Sequence, residues 1–298
     1  MRENAGTVPG ATTVTPGGVP SENLQTDTVT IPVRLCNLPP FHSIANQVLS
    51  LSSDPDIDLK RLAKVMEADP AFAAEVLFLA NSSLFGFTSQ MHVLRHAVAI
   101  LGLERIKALA VTVAMRTFMS SGGPVLRACW RHSAACAIIA EEIAGAFGFE
   151  GERAYTVSLM HDIGRLGLLK SYPSEMGPIL QCEFQDTDEV LRAERVAVDV
   201  DHATAGAWLV TTWAFPRDFV EVCTRHHEPF CLSDSPLLMT VKVACRMADA
   251  LGFAAVRYAT PPSYHTLVRS VHPNLQRNLP DEENLKKKLE TRVAALER

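Results

Sequence analysis

The chain carries no long run of Lys or Arg: 28 basic residues stand against 33 acidic ones, for a formal net charge of -5. Nucleic-acid binding draws much of its affinity from a clustered positive surface, so nucleic acid is not expected as a partner. No apolar stretch is long enough to span a bilayer, and the opening MRENAGTVPGATTVTPGG lacks the apolar centre of a secretory signal. Both absences point away from membranes and toward a soluble, cytoplasmic protein. Cysteine occurs at 36, 129, 136, 182, 223, 231 and 245, never in a Cys-x-x-Cys spacing. An odd, unpatterned set reads as small buried hydrophobes in a reducing compartment. A P-loop, a G-x-G-x-x-G fingerprint and a Ser-His-Asp or Cys-His nucleophile context are also missing, which argues against nucleoside-triphosphate kinases and Rossmann dehydrogenases. Alternating apolar and polar residues, the mark of strands, are almost absent.

What remains is a chain of 298 residues, 47% hydrophobic, enough for one large domain or two modest ones with a real core. Residues 1–30 are rich in Gly, Pro, Thr and Ser without periodicity and are expected to be disordered. From Ile31 onward, segments of helical period follow one another, separated by Asp54-Pro55, Asp69-Pro70, Gly86, Gly102 and Ser121-Gly-Gly-Pro124. At Asp69-Pro70 the aspartate can cap a helix whose first residue is proline, where the missing N–H costs nothing. The pattern predicts an all-α protein in two packed halves, 31–121 and 122–258, followed by a C-terminal extension, 259–298. That extension ends in an amphipathic helix whose stripe, Leu285, Leu289, Val293 and Leu296, could pack on the body or form a homodimer.

In the second half, polar residues fall on the apolar stripes of their own helices, since positions three and four apart share a face. Cys129, His132, Cys136, Ile139, Ile143 and Phe147 turn His132 inward. Ala154, Val157, Ser158 and His161 do the same for the stretch SLMHDIGRLGLL, residues 158–169, with Asp162 beside the histidine. His202 lines up with Ala205, Gly206, Leu209 and Trp213 behind a natural cap, Asp201. His226 and His227 end the stripe Phe219, Val220, Cys223 just before Pro229, and Asp249 aligns with Leu238, Val241, Cys245 and Gly252.

A single inward histidine is ordinarily a hydrogen-bonded core residue. Here five of ten histidines and two aspartates, on five successive helices, face one interior. Such a cluster must neutralise or find compensating charge, and a pair of divalent metal ions supplies it. The expected ligands are His132, His161, Asp162, His202, His226, His227 and Asp249, which suit Fe, Mn, Zn, Ni or Co. Two ions about 3.5–4 Å apart would let a bridging hydroxide attack a phosphoryl group in line. Asp162 would bridge the ions and Arg165, one turn on, would receive phosphate charge; these two are the candidate catalytic residues. His42, His92, His96, His265 and His272 read as surface or packing residues, and Phe78, Phe85 and Phe87 as core between the halves.

The order His132, His161-Asp162, Asp249 resembles the HD superfamily of metal-dependent phosphohydrolases, and the added His202 and His226-His227 resemble its HD-GYP branch. Asn37-Leu-Pro-Pro40, the run from Asp69 through Asn81-Ser82 to Gly86, and Ala99-Ile-Leu-Gly-Leu-Glu-Arg-Ile-Lys107 are more specifically similar to the HDOD domain, an HD-related output domain. The resemblance spans about residues 36–258. It implies an all-α fold, a bacterial source and a role in signal transduction or gene regulation through protein contacts, often without catalysis.

Two departures narrow this. Glu228-Pro-Phe-Cys-Leu-Ser-Asp-Ser235 stands where the cyclic di-GMP phosphodiesterases carry a glycine, tyrosine and proline signature. Ala128 stands where some relatives carry a glutamate for a third metal, which limits the expectation to two ions. Many HDOD domains have lost the HD ligands, whereas each position that aligns is filled here. Three readings follow: a regulatory protein acting on a signalling partner or a phosphate-containing small ligand, with a structural or sensory metal centre; a metal-dependent phosphohydrolase of nucleotides or cyclic nucleotides; and a redox or oxygen-responsive di-iron centre on the same ligands.

Overall fold

The computed structural model describes residues 30–51, 57–82, 90–119 and 123–297. The expected disorder of 1–29, the breaks at Asp54-Pro55, Gly86 and Ser121-Gly122, and Phe85 and Phe87 lie outside the described residues.

Helix starts follow from local chemistry. Asp58 accepts a hydrogen bond from the Lys60 amide at 2.8 Å and opens the Leu59–Glu67 helix. Asp69 accepts from the Ala71 and Phe72 amides, both at 3.0 Å, and Pro70 follows as the first residue of Pro70–Ala80, as the sequence predicts. That helix stops at Asn81, whose side-chain amide donates to the carbonyls of Leu77 and Met91 while its oxygen accepts from the Met91 amide at 2.7 Å. One residue thus ties the helix end to the chain ten positions on. Gly102, with φ of +77°, makes the expected break between Leu94–Leu101 and Leu103–Met119. Phe78 departs from expectation: it is 49% exposed, with the Arg116 guanidinium over its ring, because Val76 and Leu79 take the inward side of its helix.

The second group comprises Pro124–Ile143, Gly151–Met160, Ile163–Ser171, His202–Thr212, Arg217–Arg225 and Pro236–Ala250. Pro124–Ile143 lies at its centre, packed against Gly151–Met160 and Pro236–Ala250, with Cys129, Ala134 through Ala140 and Ile143 excluded from solvent. Among the described residues the strand content is one parallel bridge pairing Glu183 with Arg257 and Phe184 with Tyr258. The C-terminal helix Glu282–Leu296 lies on the outer side of Pro124–Ile143. Its stripe, Leu285, Leu289, Val293 and Leu296, is fully buried, and each such side chain contributes about 1.5–3 kcal/mol of gross burial energy. Arg292 on Glu141 at 2.6 Å and Lys288 on Glu142 flank the seam. The stripe therefore packs on the body of its own chain. No helix among the described residues is long and apolar enough to cross a membrane.

Candidate metal centre

The chain bends between Gly151–Met160 and Ile163–Ser171 at His161 and Asp162, and both side chains point inward at 0% and 1% exposure. The second of these helices crosses His202–Thr212 almost backbone to backbone. A Cβ on Gly164 would lie 2.0 Å from the His202 carbonyl oxygen and 2.3 Å from the Gly206 amide nitrogen, so only glycine permits the crossing. That approach places His202 against Asp162. Asp201 caps the same helix by accepting from the Thr204 amide at 2.8 Å. His226 and His227 leave the end of Arg217–Arg225, and His132 enters from the middle of Pro124–Ile143.

Four imidazoles are held by their Nδ1 atoms. His132 Nδ1 lies 3.0 Å from the Phe253 carbonyl, His161 Nδ1 2.6 Å from the Ser158 carbonyl, and His226 Nδ1 3.0 Å from the Cys223 carbonyl. His202 Nδ1 lies 2.6 Å from Glu194 Oε2. A carbonyl can only accept, so the proton sits on Nδ1 of the first three and the Nε2 lone pair faces the interior; the Glu194 carboxylate does the same for His202. This is the arrangement by which second-layer acceptors orient imidazoles toward a metal.

The inward atoms fall into two groups of four, each within a 4.8 Å span: Asp162, His202, His226 and His227, and His132, Cys136, His161 and Cys245. In the former, Asp162 Oδ1 lies 3.3 Å from His202 Nε2 and 3.8 Å from His226 Nε2, and His202 Nε2 lies 2.7 Å from His227 Nε2. Two ring nitrogens that close need a proton or a cation between them. The Nε2 atoms of His161 and His226 are buried without a hydrogen-bond partner among the described residues, and the Asp162 oxygens, equally buried, have ion-pair contacts with Arg165 and His202. Each orphaned group of this kind costs about 1–3 kcal/mol. A divalent cation would satisfy these lone pairs at once, and imidazole with carboxylate is a donor set that fits one.

Burial pushes the Asp162 carboxyl up, but Arg165 and the surrounding imidazoles outweigh it and hold the group well below the usual carboxylate range. Burial likewise opposes ionisation of Glu194, and His202 with Arg165 overrides it, so that pKa is also lowered. Burial, with His161 beside it, pulls His226 down to about 3, which keeps its Nε2 unprotonated. Burial raises Asp249 to about 7.

Asp162, His202, His226 and His227 come together as expected, and His132 and His161 stand alongside. Asp249 stands apart from both groups, its Oδ1 3.4 Å from His132 Nδ1, behind the ring rather than at its inward nitrogen. Arg165 is neither exposed nor reaching outward: it is 3% accessible, with Nε 2.9 Å from Asp162 Oδ2 and Nη2 2.9 Å from His202 Nε2. Three residues were missed by sequence reasoning. Glu194 is fully buried and bonds both Nδ1 and the backbone amide of His202 through one oxygen. Its signal was the stripe Val190, Glu194, Val198 in an otherwise polar helix. Cys136 and Cys245 lie one turn from His132 and Asp249 on the same stripes, a pattern that by itself signals only packing. Cys129 and Cys223 are buried as expected, whereas Cys36, Cys182 and Cys231 are exposed because they sit in helix ends and loops. Of the histidines set aside, His42 stacks on Phe72 with ring centres 4.8 Å apart, and His92, His96, His265 and His272 are exposed.

The HDOD domain family model matches residues 38–229. An HDOD domain protein of unknown function from Geobacter sulfurreducens superposes with a TM-score of 0.69 at 22% identity, over 87% of this chain and 91% of that one. A protein from Shewanella amazonensis SB2B named "Putative phosphohydrolase" gives 0.64 at 21% identity, over 89% and 97%. At these identities the likeness is one of fold. A protein of Treponema pallidum (strain Nichols), named only as uncharacterized, is 24% identical over 215 residues, and the match covers 71% of this chain and 42% of that protein's length. With its family model matched over well more than half of its length and its helical fold shared with these structures, the chain belongs to the HDOD domain family.

Proposed function

We propose that this chain is a regulatory HDOD protein of bacterial signal transduction whose buried centre binds two divalent metal ions and which acts through a protein partner or a phosphate-containing ligand rather than through turnover. The observation that carries the reading is the convergence of four Nε2 atoms and the Asp162 carboxylate in a dry interior, with each of those four rings held at its other nitrogen. His132, His161, Asp162, His202, His226 and His227 would hold the ions, with Glu194 and Asp249 orienting His202 and His132. Bound there, divalent cations supply compensating charge and Lewis acidity toward a phosphoryl oxygen.

Closure of the site favours regulation over hydrolysis. His161, Asp162, His202 and His226 are at most 1% exposed, and a phosphoryl group reaching Asp162 would have to displace Arg165 from it. Exposed Phe78, Val93 and Ile100 support a partner-facing role for the 31–121 half. The phosphohydrolase reading draws its support from Arg165, which already carries a guanidinium into the centre.

Metal content by plasma mass spectrometry on tag-free protein tests the proposal. Close to two first-row metals per chain are expected, falling in Asp162→Ala, with no turnover of nucleotides or generic phosphodiesters by the loaded protein. Metal-dependent turnover that Asp162→Ala abolishes would replace regulation with catalysis. No metal above background after reconstitution would remove the metal centre from either reading.

A further inference from the structure

We infer that one of the two ions is held by a mixed nitrogen and thiolate set, His132, Cys136, His161 and Cys245, which makes that position a site for a soft, tetrahedral cation of the zinc class. The inference rests on the metal reading above and assigns a ligand set that the His/Asp pattern does not contain.

The geometry of the four atoms carries it. His132 Nε2 lies 3.6 Å from Cys136 Sγ and 3.5 Å from Cys245 Sγ. In a tetrahedral site with metal–nitrogen bonds of about 2.0–2.1 Å and metal–sulfur bonds of about 2.3 Å, the nitrogen-to-sulfur edge is about 3.6 Å. The Cys245 separation is that of two ligands sharing one ion, whereas Cys136 Sγ, also 4.0 Å from His132 Nδ1, stands beside the ring and would turn about its Cα–Cβ bond to reach the ion. The remaining donor, His161 Nε2, belongs to the same group, is fully buried and has no hydrogen-bond partner.

Ordinary S–H···N hydrogen bonds do not explain the set as well. His132 Nδ1 faces the Phe253 carbonyl, so its Nε2 offers one lone pair, yet two sulfurs stand at nearly equal distance from it, and Cys245 is drawn to His161 as well. A single cation between the four atoms satisfies all of them. Charge agrees: two neutral imidazoles and two thiolates leave a divalent ion with no net charge, the state that a dry interior tolerates best. All four side chains are at most 4% exposed. Coordination releases one proton from each thiol to solvent and involves no oxidation or reduction, so the thiols are needed in reduced form.

Each cysteine comes from the helix that also brings a histidine or aspartate of the expected pattern. Cys136 is one turn beyond His132, and Cys245 one turn before Asp249. Asp249, drawn back to His132 Nδ1, leaves the inward position of its helix to Cys245. In this chain the thiolate takes the place in which the His/Asp pattern expects a carboxylate.

The test is zinc K-edge absorption spectroscopy on full-length protein reconstituted with zinc under a reductant. The parent should show a sulfur shell at about 2.3 Å. The shell should vanish, and at least a tenfold loss of affinity for one zinc should appear, in Cys136→Ser/Cys245→Ser. Asp162→Ala should keep the sulfur shell while losing zinc from the other position, which shows that a folded variant can separate the two. Single Cys136→Ala and Cys245→Ala variants, checked by circular dichroism, serve if the double variant does not fold, and each should reduce the sulfur count. Zinc bound with nitrogen and oxygen scattering only would overturn the thiolate site and leave the His/Asp centre standing. No zinc in the parent would overturn both.

Discussion

Glu194 shows how much one side chain can determine around a buried ring. Its Oε2 accepts from both the backbone amide and the Nδ1 of His202, at 2.9 and 2.6 Å, and this fixes which nitrogen of His202 faces Asp162. An amide in its place could still accept through its oxygen but would no longer supply the negative charge that makes the imidazole a stronger donor. Glu194→Gln is therefore expected to weaken metal affinity by about 10- to 100-fold while the chain stays folded, in line with other second-layer carboxylates. Competition with a fluorescent chelator measures this; unchanged affinity would mean that His202 does not hold the ion. Arg165 acts on the same residues from the other side, its guanidinium lying against Asp162 and His202.

Among the helices, the crossing of Ile163–Ser171 over His202–Thr212 sets the site. A methyl group at Gly164 would meet backbone atoms at 2.0 and 2.3 Å, and backbone cannot rotate away as a side chain can. Gly164→Ala should therefore force the helices apart, cost about 3 kcal/mol or more, and move His202 away from Asp162. Gly145→Ala, whose added methyl meets nothing within 4 Å, should leave thermal stability nearly unchanged. Melting curves followed at 222 nm compare the two, and equal midpoints would show that the crossing does not depend on glycine. Asp69 and Asp201 show the complementary case of elements started by one local residue, and both helices begin where a capping aspartate predicts.

At the scale of the whole molecule, the centre joins helices that enter the chain between residues 124 and 250, so whatever binds there binds the folded state alone. Ligand present at about 100 times its Kd stabilises such a protein by about 2.7 kcal/mol. Stripping metal with a chelator should accordingly lower the melting midpoint by roughly 5 °C, and readdition should restore it. Scanning calorimetry of the two forms decides the point; superimposable transitions would count against occupancy of the buried centre. The C-terminal helix belongs to the same body, since its apolar stripe covers Pro124–Ile143.

Much of this was written locally along the chain. The absence of strand alternation determined the all-α class, the capping aspartates and the break at Gly102 marked helix ends, and the three- and four-residue spacing turned His132, His161, His202 and Asp249 inward. Those features depend on neighbours within a turn or two, where backbone hydrogen bonding and burial act on a short stretch. Tertiary structure alone decided which inward groups meet. Asp249 was legible as inward, yet its contact is the outer nitrogen of His132; Cys136 and Cys245 looked like packing until two helices brought both sulfurs to one imidazole. Arg165 became an interior charge where helices cross closely at Gly164, and Glu194, on an otherwise polar helix, became one by meeting His202. Periodicity reports the direction of a side chain from its own helix axis, whereas its partner depends on crossing angles and separations set by contacts far apart in sequence.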